Sequence, residues 1–156
     1  MNKLLIICAL PFLFNCCYSQ EHWNTSIENH FLIVASTKNY ASAVKSAQSI
    51  AEELNLDFSY NEEYADKTHG LTYGKIDCED DGWGYPCYQP RGGLHTYSNV
   101  SIEWSSMYEG FSEGYYIVVI MSSYNKADAK NLLKKAQELV PSAYIKTTSV
   151  WYGCDH

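Results

Sequence analysis

"FLIVASTKNYASAVKSAQSIAEELN", Phe31 to Asn55, and "YIVVIMSSYNKADAKNLLKKAQELV", Tyr116 to Val140, decide how this chain folds. Laid over one another at an offset of 85 (116 − 31), they align without a gap: Lys45 meets Lys130, Ala51 meets Ala136, Glu53 meets Glu138 and Leu54 meets Leu139. Each opens with a β-branched and aromatic run of strand length, Phe31 to Ala35 and Tyr116 to Met121. Each then crosses a polar turn into a helix. In the first helix Ala43, Val44, Ala47, Ile50, Ala51 and Leu54 recur at three- and four-residue steps. In the second, Ala129, Leu132, Leu133, Ala136 and Leu139 do the same, giving one apolar stripe per helix. Pro141 ends the second helix, since it lacks a backbone N–H and disfavours helical geometry before it. A further strand follows each helix, at about 56–60 and 143–150.

The order strand, helix, strand, strand, helix, strand predicts an α+β fold. Two βαβ units share one antiparallel sheet in a ferredoxin-like βαββαβ sandwich, with helices 40–55 and 126–140 on one face. The other face is open unless the long connection at about 61–114 covers it. That connection carries its own β-rich insert: "HGLTYGKID" and "NVSIEWSS" alternate like strands, with Ile102 and Trp104 on one side and Ser101, Glu103 and Ser105 on the other. The phase of Trp104 with Ile102 assigns it to the core.

The second unit, "GYYIVVIMSSYNKADAKNLLKKAQELVPSAYIKTTSVWY", resembles a sporulation-related repeat (SPOR) domain in its "YYIVV" strand, its "SSYNKADAKNLLKK" helix entry and its "AYIK" return strand. "FLIVAST" and "ASAVKSAQSIAEELN" resemble the matching half. The resemblance implies a peptidoglycan-binding domain that holds glycan strands lacking stem peptides on the open sheet face. The chain departs from that pattern in three places. No glycine closes the first strand of either unit, the connection at 61–114 is far longer than a hairpin, and the end reads "WYGCDH".

"MNKLLIICALPFLFNCCYSQ" reads as a secretory signal peptide over 1–19, leaving a single domain over 20–156. Its apolar run, Leu4 to Phe14, is too short to span a membrane. "LFNC" also resembles a lipobox, so lipidation at Cys16 or Cys17 would make the protein a lipoprotein tethered to a membrane. The expected location is secreted or periplasmic, at the cell envelope. Eleven basic and 18 acidic residues, less Lys3, leave a mature charge of 10 − 18 = −8. Such a surface repels nucleic acid and anionic lipid. Fourteen tyrosines and four tryptophans supply flat apolar faces with polar handles, suited to a core or to sugar rings.

"CEDDGWGYPCYQPRGG", Cys78 to Gly93, is the candidate site. Zinc would need four ligands, for which Cys78, Cys87, Cys154 and His156 are available, but Cys78 and Cys87 are too far apart for the usual short pairs. In an oxidising compartment a Cys78–Cys87 disulfide is favoured, closing about ten residues. Cys154 paired to either of them is the competing arrangement. Arg91, between Pro90 and two glycines, sits at a turn tip. It offers a donor fork to a ligand carboxylate or to Asp80, Asp81 or Glu103. Trp83, Tyr85, Tyr88, Arg91 and Glu103 are therefore the expected ligand-binding residues. Enzyme signatures are missing: the sequence holds no phosphate loop and no G-x-S-x-G elbow, and Cys154 with His156 needs a third group to orient it. The expectation is an exported non-catalytic binding domain for peptidoglycan glycan strands, with no cofactor. A metal- or thiol-dependent envelope protein and a protein-interaction module are the alternatives.

Overall fold

A computed structural model describes residues 26–58, 65–66, 69–88 and 98–151. The elements run β1 (Ser26–Thr37), α1 (Tyr40–Leu54), β2 (Ala65–Asp66), β3 (Gly70–Leu71), α2 (Lys75–Asp80), β4 (Ser101–Trp104), β5 (Tyr116–Ser123), α3 (Lys126–Leu139) and β6 (Tyr144–Trp151). The expected signal peptide over 1–19, with Cys16 and Cys17, and the residues Arg91, Cys154 and His156 lie outside the described residues. No described helix is long and apolar enough to cross a membrane.

Four strands form one sheet in the order β4-β5-β1-β6, every neighbouring pair antiparallel. Leu32 and Val34 of β1, Val118 and Ile120 of β5, and Ile102 of β4 pack beneath Ala43, Ala47, Ile50, Ala51 and Leu54 of α1 and Ala129 and Ala136 of α3. Both helices therefore lie on one face of the sheet, as in a ferredoxin-like α+β fold. Each helix starts at an asparagine cap. The Asn39 Oδ1 accepts from the Ser42 N–H at 2.9 Å, and the Asn125 Oδ1 accepts from the Ala127 N–H at 3.0 Å. Asn55 ends α1 in the left-handed conformation, which asparagine tolerates.

The two units superpose one residue away from the offset that the letters suggest. Equivalent caps are 86 apart (125 − 39), as are the buried Ala43 and Ala129 (129 − 43) and the buried Ile50 and Ala136 (136 − 50). The strands agree: Leu32 and Val34 match Val118 and Ile120 toward the helices, and Phe31 and Ile33 match Ile117 and Val119 away from them.

Two expected strands are corrected. Residues 56–60 supply no strand in the described part. Phe58 makes an isolated parallel bridge to Val100, and the Val100 N–H donates to the Asp57 carbonyl at 2.8 Å. The edge place beside β5 belongs to β4, the "SIEW" of the insert. In "HGLTYGKID", only Gly70–Leu71 is extended, and Lys75 opens a helix instead.

The second sheet face is closed. Residues 105–115 leave β4 in a 3-10 turn and arch back over Phe31, Ile33, Ile117, Val119 and Val150 before entering β5. Tyr108 stands edge-on against Phe31 at 4.9 Å, and Phe111 packs beside it. Ser105 locks the base of the arch. Its N–H donates to the Tyr115 carbonyl at 2.8 Å, its hydroxyl donates to the Ser112 carbonyl at 2.7 Å, and it accepts from the Tyr115 N–H at 2.9 Å.

Candidate ligand-binding site

Residues 69–88 of the insert form a stapled loop seated on the β4 edge. Cys78 of α2 is bonded to Cys87, with their Cα atoms 5.9 Å apart. Thr72 clamps the returning chain: its hydroxyl donates to the Cys87 carbonyl at 2.8 Å and accepts from the Cys87 N–H at 3.0 Å, and the Tyr73 N–H donates to the same carbonyl at 3.0 Å. Within the loop the Trp83 N–H donates to the Cys78 carbonyl at 2.7 Å, across a turn that Gly82 makes with φ +77°. Trp83 is thereby held outward, 51% exposed, and Ile76 on α2 is 73% exposed. Asp77, Glu79, Asp80 and Asp81 of the same stretch are exposed to solvent.

A row of aromatic rings fastens this loop to the sheet. Tyr88 lies flat on Trp104, centroids 5.0 Å apart and planes at 19°. Trp104 meets Tyr116 at 4.7 Å, and Tyr116 meets Tyr40 of α1 at 5.1 Å. Two hydroxyls converge on the His69 carbonyl, Tyr116 at 2.7 Å and Tyr88 at 3.3 Å. Burial, reinforced by the neighbouring Tyr88 hydroxyl, pushes the Tyr116 phenol up to about 12. It therefore remains a hydrogen-bond donor at any physiological pH. Tyr85 rests edge-on against the His69 ring at 5.1 Å, with its hydroxyl 3.4 Å from Nδ1.

Of the expected site residues, Trp83, Tyr85 and Tyr88 share this loop. Trp83 alone of the three is mainly in solvent, while Tyr85 and Tyr88 are half-buried in the anchorage. Glu103 is a correction. It points to the opposite side of β4 from Trp104, is 4% exposed under the arch, and accepts from the hydroxyls of Tyr108 (2.8 Å) and Ser101. It braces the arch and is out of a ligand's reach. The core assignment of Trp104 holds in part, since the ring packs against the helix-side core and also carries Tyr88. His69 contributes a backbone carbonyl, which no side-chain pattern in the sequence reveals. The set Cys78, Cys87, Cys154 and His156 loses two thiolates to the disulfide. Among the described residues no group of three or more His, Cys, Asp or Glu side chains is placed to hold a metal.

A second polar region flanks the opposite edge. Glu28, Glu109, Thr147, Thr148 and Ser149 line a shallow cleft of about 370 Å3 along β6. Beside it the buried His30 places Nδ1 2.8 Å from the Thr147 hydroxyl, and Nε2 lies 3.8 Å from Glu28, beyond hydrogen-bond reach. Burial, with a smaller contribution from Lys126, lowers the His30 pKa against the pull of Glu28 and favours the neutral imidazole.

The staple should matter to the loop more than to the sheet. Closing about ten residues is worth roughly 2–3 kcal/mol in the loop-entropy description. The Cys78→Ser, Cys87→Ser double variant should lose about that much in urea unfolding, and proteolysis should cut first between residues 72 and 87. First cleavage elsewhere in the chain would refute this account of the loop.

No protein-family model matches this chain, and comparisons with curated proteins and with solved structures find no match.

Proposed function

We propose that this chain is an exported, non-catalytic binding domain of the cell envelope that holds peptidoglycan glycan strands through its stapled loop. The observation that carries the reading is Trp83, a half-exposed indole on a loop fixed by a disulfide, a threonine clamp and a stack of aromatic rings. A rigid indole loses little entropy when a sugar ring stacks on it, and the exposed Asp77, Asp80 and Asp81 carboxylates of the same stretch can accept from sugar hydroxyls. To Arg91, from the sequence alone, we assign the muramic carboxylate. The disulfide supports an oxidising compartment. The arch argues for the loop, rather than the sheet face, as the contact surface.

The test is co-sedimentation of the purified protein with peptidoglycan, before and after an amidase has stripped the stem peptides. Stripped material should retain more protein, and Trp83→Ala should weaken retention about tenfold, the equivalent of roughly 1.4 kcal/mol. No sedimentation from a folded domain with either material would end the cell-wall reading. It would favour a protein-interaction module, for which the exposed Ile76 beside Trp83 supplies an apolar anchor.

A further inference from the structure

The two edges of the sheet are treated differently. The β4 edge is capped, since Phe58 bridges to it at Val100 and Tyr88 stacks on its Trp104. Along β6, among the described residues, no strand pairs with the outer edge. Of the devices that usually keep edges from pairing, β6 lacks shortness, proline and a bulge and keeps only one charge. It is eight residues long, contains no proline and carries a single charge, Lys146. Its register with β1 runs from Ser26↔Trp151 to Ile33↔Tyr144 without a bulge, whereas β1 and β5 are interrupted at Leu32/Ile33 and Ile33/Ala35.

We infer that β6 pairs antiparallel with β6 of a second copy of this chain, joining two four-stranded sheets into one. The cleft along β6 lies where that second strand would run, and its flanking side chains are the acids Glu28 and Glu109. An acidic cleft favours a strand that brings a cation, and β6 brings Lys146 on the side of Glu109. The register follows from the faces. A two-fold axis through Thr147, perpendicular to the sheet, keeps both helix layers on one side and sets Lys146 opposite Thr148 of the other copy. Thr148 donates to the Glu109 carbonyl at 3.1 Å, which fixes Glu109 above it on the arch side. Lys146 stands on that same side, its Nζ 4.6 Å from the Phe111 ring centre. Each lysine thus arrives beside the other copy's Glu109, twice per dimer, as two-fold symmetry requires. Thr147 faces Thr147, and no like charges meet across the strand pair.

Sedimentation equilibrium of the purified protein from about 5 to 500 µM, near physiological salt, tests this. The expected result is a reversible dimer. Lys146→Glu sets carboxylate against carboxylate at both contacts and should weaken dimerisation at least about tenfold. Adding Glu109→Lys to that variant should restore dimerisation to within about threefold. Circular dichroism of each variant confirms that the sheet is intact. A chain that stays monomeric at 500 µM, or a Lys146→Glu dimer as tight as the parent, overturns the proposal. So does a monomeric chain whose β6 edge binds a lysine-containing extended peptide instead.

Discussion

Tyr108→Ala should cost the fold about 3–5 kcal/mol, the range for removing a fully buried aromatic ring. Three losses fall together at this residue. The ring is 4% exposed and stands edge-on against Phe31 over the second sheet face. Its removal opens a cavity above Phe31, Ile33 and Ile117 that the arch cannot collapse to fill, because Ser105 pins both ends of the arch. Its hydroxyl donates to Glu103 at 2.8 Å, so a buried carboxylate also loses a partner. Tyr108→Phe separates the contributions: it keeps the ring, drops the hydroxyl, and should cost only about 1–3 kcal/mol. Urea midpoints at constant slope measure both. A penalty for Tyr108→Ala below that of Tyr108→Phe would mean that the arch is not part of the core. The same variant bears on function. If the stapled loop is the contact surface, peptidoglycan retention per folded molecule should not change when the arch loosens. A rise in retention would instead point to the sheet face beneath it.

The fold class was legible because two long amphipathic patterns repeat, and either an 85- or an 86-residue offset yields strand, helix, strand. The phase was not. Of the helix letters that match at 85, Lys45, Lys130, Glu53 and Glu138 face solvent and are indifferent to register, Leu54 is buried where Leu139 is exposed, and Ala51 with Ala136 is the one pair buried on both sides. Burial matches at 86, and in a strand a slip of one residue exchanges the two faces. The edge strand was misplaced for a different reason. Leu56 and Phe58 look locally as good as Ile102 and Trp104, and which segment reaches β5 is decided by long-range pairing. Ser101–Trp104 brings Glu103, whose buried carboxylate accepts from Ser101 of its own strand and, once that strand lies under the arch, from the Tyr108 hydroxyl. At the site, the sequence favoured the Cys78–Cys87 disulfide over a pairing through Cys154 and grouped Trp83 with Tyr85 and Tyr88, but it did not separate the exposed ring from the two half-buried ones. The His69 carbonyl and the Thr72 clamp act through backbone atoms, which every residue carries, so nothing in the sequence marked them.

Gly70→Ala is the second large effect, and it tests whether the aromatic row holds the loop. Gly70 has φ +72°, where an L side chain is strained, and a Cβ there would overlap the Tyr116 hydroxyl, lie 2.7 Å from its Cζ and meet Tyr40 Cγ at 3.0 Å. Tyr116 cannot swing away cheaply. It is wedged between Tyr40 and Trp104, and its hydroxyl is bonded to the carbonyl of the adjacent His69. The strain costs roughly 1–2 kcal/mol and the displaced hydrogen bond about 1–2 more, so a loss of about 2–4 kcal/mol is expected. Gly82→Ala is the control. Its φ of +77° imposes the same strain, but nothing lies within 4 Å of its Cβ, so it should cost only the conformational part. Near-ultraviolet circular dichroism should change in Gly70→Ala alone, as Trp104 loses its ordered neighbours. Equal penalties and unchanged spectra in both variants would mean that Tyr116 does not clamp the insert. If the clamp is real, Gly70→Ala should also weaken peptidoglycan retention while leaving Trp83 itself untouched, because a loop that wanders must be ordered again each time it binds.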